Sequence, residues 1–442
     1  MKVAVIGGGA AGLTAAWALS KHHDVTLYEA EKRLGGHANT IDVDCAGAVI
    51  PVDTGFIVYN EANYPQFKRL LAALDVPTQR SVMTFSVSID KPDLEYAGNA
   101  RGLFCQPANA WRPAFWRLLG DIKRFNRDAM AFLDGDQVPA DLTLGQFLER
   151  QGYGPQLAEQ YLLPMAAAIW SASISGMRDF PARSILRFFA NHGLLRLRNR
   201  PLWRTVAGGS RSYVERLRLD MSAHIRTGST VLAVRRLPTG VRLAAKGGLW
   251  SSYDHVVFAT HADDTLRLLG ADATSAERRF LGAFRYQANR AILHRDVTLM
   301  PRRRGAWSSW NYLAKGQADD AKVAVTYWMN RLQNLPAKSP VLVTLNPIDE
   351  PAPQSVVREF SYMHPQFDGA AIAAQGRLPT VQGVRRSWFC GAYCGNGFHE
   401  DAVQSGLAVA AALGAPAPWY AGTVPASPAA AIIDPSLAIA AE

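Results

Sequence analysis

The first thirty-six residues constrain this chain more than any other stretch. Lys2-Val3-Ala4-Val5-Ile6 is short, apolar and partly β-branched, the pattern of a buried strand. It runs directly into Gly7-Gly8-Gly9-Ala10-Ala11-Gly12, after which Leu13, Ala16 and Trp17 fall at helical spacing. The order is strand, G-x-G-x-x-G turn, helix. Gly7 permits the tight turn, Gly9 lets the backbone approach a pyrophosphate, and Gly12 lets the helix lie close to the strand. The helix N-terminus, at Ala11 and Gly12, offers that pyrophosphate unpaired N–H groups and a partial positive charge. A second apolar run, Val25-Thr26-Leu27-Tyr28, ends on Glu29, about twenty residues beyond the turn. A carboxylate there accepts hydrogen bonds from ribose hydroxyls and repels a 2′-phosphate.

The chain continues Glu31-Lys32-Arg33-Leu34-Gly35-Gly36. An acid closing the second strand, then R-x-G-G, resembles the FAD-binding start of the amine oxidase, phytoene desaturase and protoporphyrinogen oxidase superfamily. The resemblance implies FAD as cofactor, with Arg33, Gly35 and Gly36 adding contacts to its diphosphate. The commonest form in that superfamily carries another basic residue after the glycines; this chain has His37. The implied fold class is α/β: a Rossmann-like FAD-binding domain of the glutathione-reductase type with an inserted α+β substrate domain. The FAD-binding domain is then discontinuous, drawn from residues 1–62, 205–270 and 378–418. Residues 63–204 and 271–377 form the substrate domain, helical first and strand-rich second, and 419–442 form an Ala- and Pro-rich tail.

Bulk properties agree with a globular protein of more than one simple domain: 442 residues, 48% hydrophobic and 19% charged. The net charge of +10 favours anionic partners. No Lys/Arg block is long enough for a nucleic-acid arm, and no apolar run has transmembrane length. The glycine fingerprint excludes a signal-peptide reading of the N-terminus. Cys45, Cys105, Cys390 and Cys394 do not form a disulfide framework for a chain this size, so reduced thiols and a cytoplasmic location are expected. Cys390-x-x-x-Cys394 lacks a second ligand pair, and no metal site is assigned.

Further along, Val52-Asp53-Thr54-Gly55-Phe56-Ile57-Val58-Tyr59-Asn60 carries an aspartate-x-glycine. In the superfamily this loop passes near the isoalloxazine ring, which makes Tyr59 a catalytic and Asn60 a substrate-binding candidate. From Tyr64 to about Arg204 the pattern is mainly helical. Strand patterns return from His224 to Thr260, where the resemblance sets Val231 against the adenine. Trp307 to Tyr312 and Thr326 to Asn330 are aromatic-rich. Alternation puts Trp310 and Tyr312 on one strand face and Asn311 on the other. Such strands serve either as the floor of an apolar pocket or as sheet core. Near the end, Trp388 to Ala392 and the following Gly397-Phe398-His399-Glu400-Asp401 resemble the superfamily's second FAD motif. This implies that Gly391 meets the ribityl chain. The usual acid after the strand glycine is replaced by Ala392, so Glu400 or Asp401 is expected to supply that contact.

Whole-chain motifs narrow the resemblance. G-G-H-A-N-T from Gly35, D-T-G-F-I-V-Y-N from Asp53, A-I-W-S from Ala168, S-S-W-N-Y from Ser308 and G-F-H-E-D from Gly397 are similar to bacterial flavoproteins often found beside cyclopropane-fatty-acid-synthase-like methyltransferases. The implied reaction is desaturation or isomerisation of a long, methylated or phospholipid-bound acyl chain. Trp170, Trp310 and Tyr312 join Asn60 as substrate-binding candidates. Proton removal requires a base; His399 and Glu400 are the first candidates and His192 the second. His399 serves alternatively as a helix cap, and Glu400 as a ligand of ribityl hydroxyls. Two other functions stay open: a flavin amine oxidase with an aromatic cage of Tyr393, Trp310 and Tyr59, and a non-catalytic partner of a lipid methyltransferase. No lysine equivalent to the one usual in amine oxidases is identified. Two basic, aromatic stretches, 111–133 and 183–204, suggest peripheral contact with anionic lipid. Arg112, Trp116, Arg117, Arg196, Arg198 and Trp203 are expected beside a substrate entrance. Oligomeric state is undetermined by sequence, and no nucleic acid is expected.

Overall fold

The computed structural model describes residues 1–45, 47–135, 142–170, 177–196, 201–248, 250–316 and 322–420. The N-terminal pattern forms strand β1 (Lys2–Ile6), helix α1 (Ala10–Leu19) and strand β2 (Asp24–Tyr28). β1 lies at the centre of a five-stranded parallel sheet. Its neighbours are β2 on one side and His255–Phe258 on the other; His224–Arg226 flanks β2 and Ser387–Phe389 flanks His255–Phe258. The sheet therefore draws strands from the beginning, middle and end of the chain. Its central strands read as continuous apolar runs because both faces are covered. All ten residues of α1 are buried, which explains a helix that is apolar all round. The C-terminal helix His399–Ala412 packs against it so closely that a Cβ on Gly406 would stand 2.4 Å from the Ala11 carbonyl oxygen.

A second, seven-stranded sheet runs in the order Val356–Gln366, Arg285–His294, Leu342–Leu345, Lys322–Trp328, Trp310–Lys315, Phe85–Ile89, Leu94–Ala97. The last two strands come from the stretch read as mainly helical. Phe85-Ser86-Val87-Ser88-Ile89 has a strand's two-residue alternation. That short run is overshadowed by the longer helical stripes around it. It pairs in parallel with Trp310–Lys315, placing Phe85 opposite Trp310. Helices cover this sheet, among them Pro113–Asp134 and Ala182–Asn191, and a large apolar core fills the space between. A small sheet, with Trp203–Val206 between Tyr59–Asn60 and Thr78–Arg80, links the two halves. Trp419 stacks on Trp17 with ring centroids 5.9 Å apart, so the beginning of the tail packs on α1; residues beyond 420 lie outside the described ones. No described helix is long and apolar enough to cross a membrane.

Candidate active site

One cavity of about 1080 Å³ runs from the glycine turn into the space between the two halves. Small-molecule pockets span roughly 300–1,000 Å³, so this cavity is at the upper end of that range. At the nucleotide end its wall includes Gly7, Gly9, Ala11, Glu29, Arg33 and Gly35. Gly36, Val231 and Gly391 also face it. A Cβ on Gly9 would meet nothing within 4 Å, so the backbone there borders open space. A Cβ on Gly12 would stand 1.9 Å from the Gly7 carbonyl oxygen; Gly12 lies behind the wall and permits the close turn. The Glu29 carboxylate is held by the Gly8 N–H at 2.6 Å and the Glu31 N–H at 2.8 Å. The Gly35 N–H donates to the Gly8 carbonyl, and Arg33 Nη1 donates to the Gly36 carbonyl at 2.8 Å. The first of these bonds ties the second glycine pair to the first turn, and the other closes the Arg33–Gly36 turn on itself. A dinucleotide fits this cradle: an open backbone surface for the diphosphate, a helix N-terminus behind it and a fixed acid for the ribose.

The loop after Gly36 and the loop after Asp53 form the middle of the cavity. The Phe56 N–H donates to the His37 carbonyl and the Thr54 N–H to the Asn39 carbonyl. Asp53 does not face the cavity and anchors its loop from behind. Its carboxylate accepts from Ser210 N–H at 2.9 Å, Ser210 Oγ at 2.7 Å, Thr40 Oγ1 at 2.5 Å and Gln333 Nε2 at 2.8 Å. Burial raises its pKa to about 6 despite those donors. Across the cavity, strand Val356–Gln366 contributes Tyr362 and His364. The Tyr362 hydroxyl joins Asn39 Nδ2 at 2.8 Å and Thr54 Oγ1 at 2.7 Å. The His37 ring lies 5.0 Å from Tyr362 and 5.3 Å from His364, centroid to centroid. Burial keeps both imidazoles neutral, lowering His37 to about 3 and His364 to about 4. Neither residue was singled out as catalytic from sequence; His364 carries no local motif, and only the fold sets it opposite His37.

Beyond this polar band the wall is apolar, including Ile57, Met83, Phe85, Met165, Leu345 and Phe398. Trp310 belongs to this wall, with Tyr327 edge-on at 5.3 Å. His192 also lines the chamber, stacked on Phe188 at 3.7 Å. Its Nδ1 lies 3.0 Å from the Phe188 carbonyl oxygen. A carbonyl only accepts, so Nδ1 carries the proton and Nε2 keeps a lone pair. Burial lowers the pKa of His192 to about 4.

Several expected site residues stand elsewhere. The Glu400 carboxylate turns away from the cavity and accepts from the Gln66 N–H at 2.8 Å and the Phe67 N–H at 2.9 Å. It caps the first turn of helix α2 (Pro65–Ala73), whose N-terminus attracts an anion. This corrects both its catalytic and its cofactor assignment. Asp401 caps its own helix through the Phe398 N–H at 2.8 Å and is likewise absent from the cavity wall. Tyr59 and Asn60 are buried in the linking sheet outside the wall, because strand pairing with Trp203–Val206 fixes them there. Tyr312 shares a strand face with Trp310 but sits two residues deeper in the sheet core. His399 borders the cavity, yet its ring stacks on Phe56 at 3.8 Å and its Nε2 lies 2.8 Å from the Tyr213 hydroxyl. Burial lowers its pKa to about 3. The side chain of Trp170, and Arg198 as a whole, lie outside the described residues. Trp203 lines the cavity.

Comparison with solved structures shows the same fold at low sequence identity. A CLA-producing fatty acid isomerase from P. acnes superposes with a TM-score of 0.65 at 14% identity, covering 91% of this chain and 96% of the isomerase. Putrescine oxidase bound to putrescine gives 0.65 at 14%, covering 93% and 99%. Cyclohexylamine oxidase from Brevibacterium oxydans gives 0.66 at 15%, covering 93% and 98%. A search of curated proteins finds no match. The family model for flavin containing amine oxidoreductase matches residues 10–325, and its cofactor agrees with the cradle described above. The chain therefore belongs to the flavin containing amine oxidoreductases and is an FAD-dependent oxidoreductase.

Proposed function

We propose that this enzyme desaturates or isomerises a long fatty acyl chain. The observation that carries the reading is the continuity of the dinucleotide cradle with an apolar, aromatic chamber in one cavity. The lysine side chains of the described residues are absent from its wall, and of its carboxylates Glu29 is held by the Gly8 and Glu31 N–H groups and Glu359 is paired with Arg290. An amine substrate would be protonated in water and would need a carboxylate or a tight aromatic cage. An acyl chain needs only dry contact, worth about 0.8 kcal/mol for each buried methylene. The fold shared with a fatty acid isomerase is compatible with such a substrate.

Bound FAD supplies two-electron redox chemistry. The protein orients the chain between Phe85, Trp310 and Phe398 and excludes water. His192 is the base in this reading: its tautomer is fixed by the Phe188 carbonyl, and its Nε2, without a hydrogen-bond partner among the described residues, belongs to a ring on the chamber wall. His399 has a positioning role, holding Phe56 flat at the loop beside the cradle. The test is anaerobic flavin reduction by the purified holoenzyme, scanned over fatty acids, phospholipids and primary amines. For an isomerase the product is followed by its changed double-bond position. Turnover of acyl substrates and silence towards amines supports the reading; efficient oxidation of an amine overturns it. His192→Gln should lower turnover by about 10²–10⁴-fold while FAD content stays unchanged.

A further inference from the structure

The surface around the start of helix Pro113–Asp134 carries an aromatic projection that the active site does not use. Trp111 is 87% exposed, Trp116 53% and Phe104 37%. Phe104 and Trp116 lie together, ring centroids 5.7 Å apart, over the buried Phe115. Trp116 is held outward because its Nε1 donates to the Ala110 carbonyl at 3.0 Å. Large exposed aromatics are normally scattered singly; here Phe104 and Trp116 are joined and Trp111 projects from the same short segment, a concentration of apolar surface that marks an interaction site.

The unpaired charge around the patch is positive. Arg101, Arg117 and Lys123 are exposed. The neighbouring acids are already engaged: Asp121 with Arg124, and Asp93 with Arg302 and Arg303. Among the described residues no carboxylate pairs with Arg101, Arg117 or Lys123. On the helix, Trp116, Gly120 and Lys123 recur at three- and four-residue spacing, so the tryptophan and Lys123 share one outward face; Arg127, next along it, is paired with Asp128 at 2.9 Å.

We propose that this patch docks the enzyme on an anionic phospholipid surface. Three features select a membrane over a protein partner. A tryptophan exposed over most of its surface projects rather than lining a groove, which suits a deformable interface. Indole rings also settle at headgroup depth, where their apolar body and N–H are both satisfied. Unpaired arginine and lysine beside them match lipid phosphates. The inference rests on surface geometry and holds whether or not the substrate is an acyl chain. It keeps the 111–133 stretch of the sequence expectation, adds Phe104 and Arg101, and leaves out Trp203, which faces the internal cavity.

The experiment is co-sedimentation of the FAD-loaded protein with vesicles of phosphatidylcholine alone or mixed with phosphatidylglycerol, at low and high salt. Binding to the mixed vesicles, weakened by salt, is expected, because the cationic contribution is screened. Arg101→Gln/Arg117→Gln/Lys123→Gln should weaken partitioning on the order of 100-fold, the equivalent of roughly 1 kcal/mol for each cation. Trp111→Ser/Trp116→Ser should weaken binding to both vesicle types and abolish a lipid-induced shift of tryptophan emission. FAD content and the circular dichroism melt report that each variant is folded. Wild-type protein that ignores anionic vesicles at low salt overturns the proposal. So does vesicle binding that survives both sets of substitutions. Loss of a protein–protein complex on Trp111→Ser/Trp116→Ser, with vesicle binding absent, would reassign the patch to a protein partner.

Discussion

Gly9 and Glu400 show how differently single residues are read from a sequence. The role of Gly9 is local. Its backbone conformation is ordinary and a Cβ there meets no neighbour, so Gly9→Val should fold normally yet lose FAD by filling the space beside the cradle. Equal FAD absorbance per chain in variant and wild type would refute this. Glu400 is different: nothing near it in sequence announces that its carboxylate reaches Gln66 and Phe67. Glu400→Gln sets an amide NH2 against one of the two N–H donors, where the hydroxyl oxygen of the neutral acid still accepts, and should lower stability by about 1 kcal/mol at about pH 5. Burial raises the Glu400 pKa to about 7, so its favourable contribution is present at low pH and is lost as pH rises through that value. The stability gap between wild type and Glu400→Gln should therefore narrow from pH 5 to pH 8 in denaturant titrations. The histidines behave oppositely. His37, His364 and His399 are neutral when folded and protonate near 6.5 when unfolded. Their contribution is full above that value and is lost as pH falls towards their folded values. The melting temperature should drop between pH 7 and pH 5, with a shallower slope in His399→Gln.

At the scale of elements, legibility follows the range of the forces. β1, α1 and β2 were readable because each is specified within its own stretch, by apolar runs, glycines and helical spacing. Strands Phe85–Ile89 and Leu94–Ala97 were not, because a five-residue alternation carries little information until a partner strand completes it. The packing of the C-terminal helix on α1 was equally hidden. Gly406 looks like a weak point in a helix, but it admits the Ala11 carbonyl at its surface. Gly406→Ala should cost roughly 1–3 kcal/mol through overpacking. A gain in stability, as expected for an exposed helical glycine, would show that the two helices can separate without penalty.

At the scale of the molecule, the chamber is a product of assembly: Phe85, Met165, His192, Trp310 and Phe398 come from segments far apart in sequence and share one wall only after the two halves close. If it holds an acyl chain, Met165→Trp should shift the preference towards shorter chains. The kcat/KM profile over chain length should move while FAD occupancy does not. The sequence by itself determined the nucleotide fold and the cofactor, because the glycine turn, Glu29 and the Arg33-to-Gly36 run make their contacts through local backbone geometry. Tertiary structure alone decided which polar groups face the reaction space. It turned Glu400 and Asp401 to helix capping, buried Tyr59 and Asn60 in a linking sheet and brought His37 to His364. Side-chain direction depends on burial and on partners hundreds of residues away, and local pattern carries no record of either.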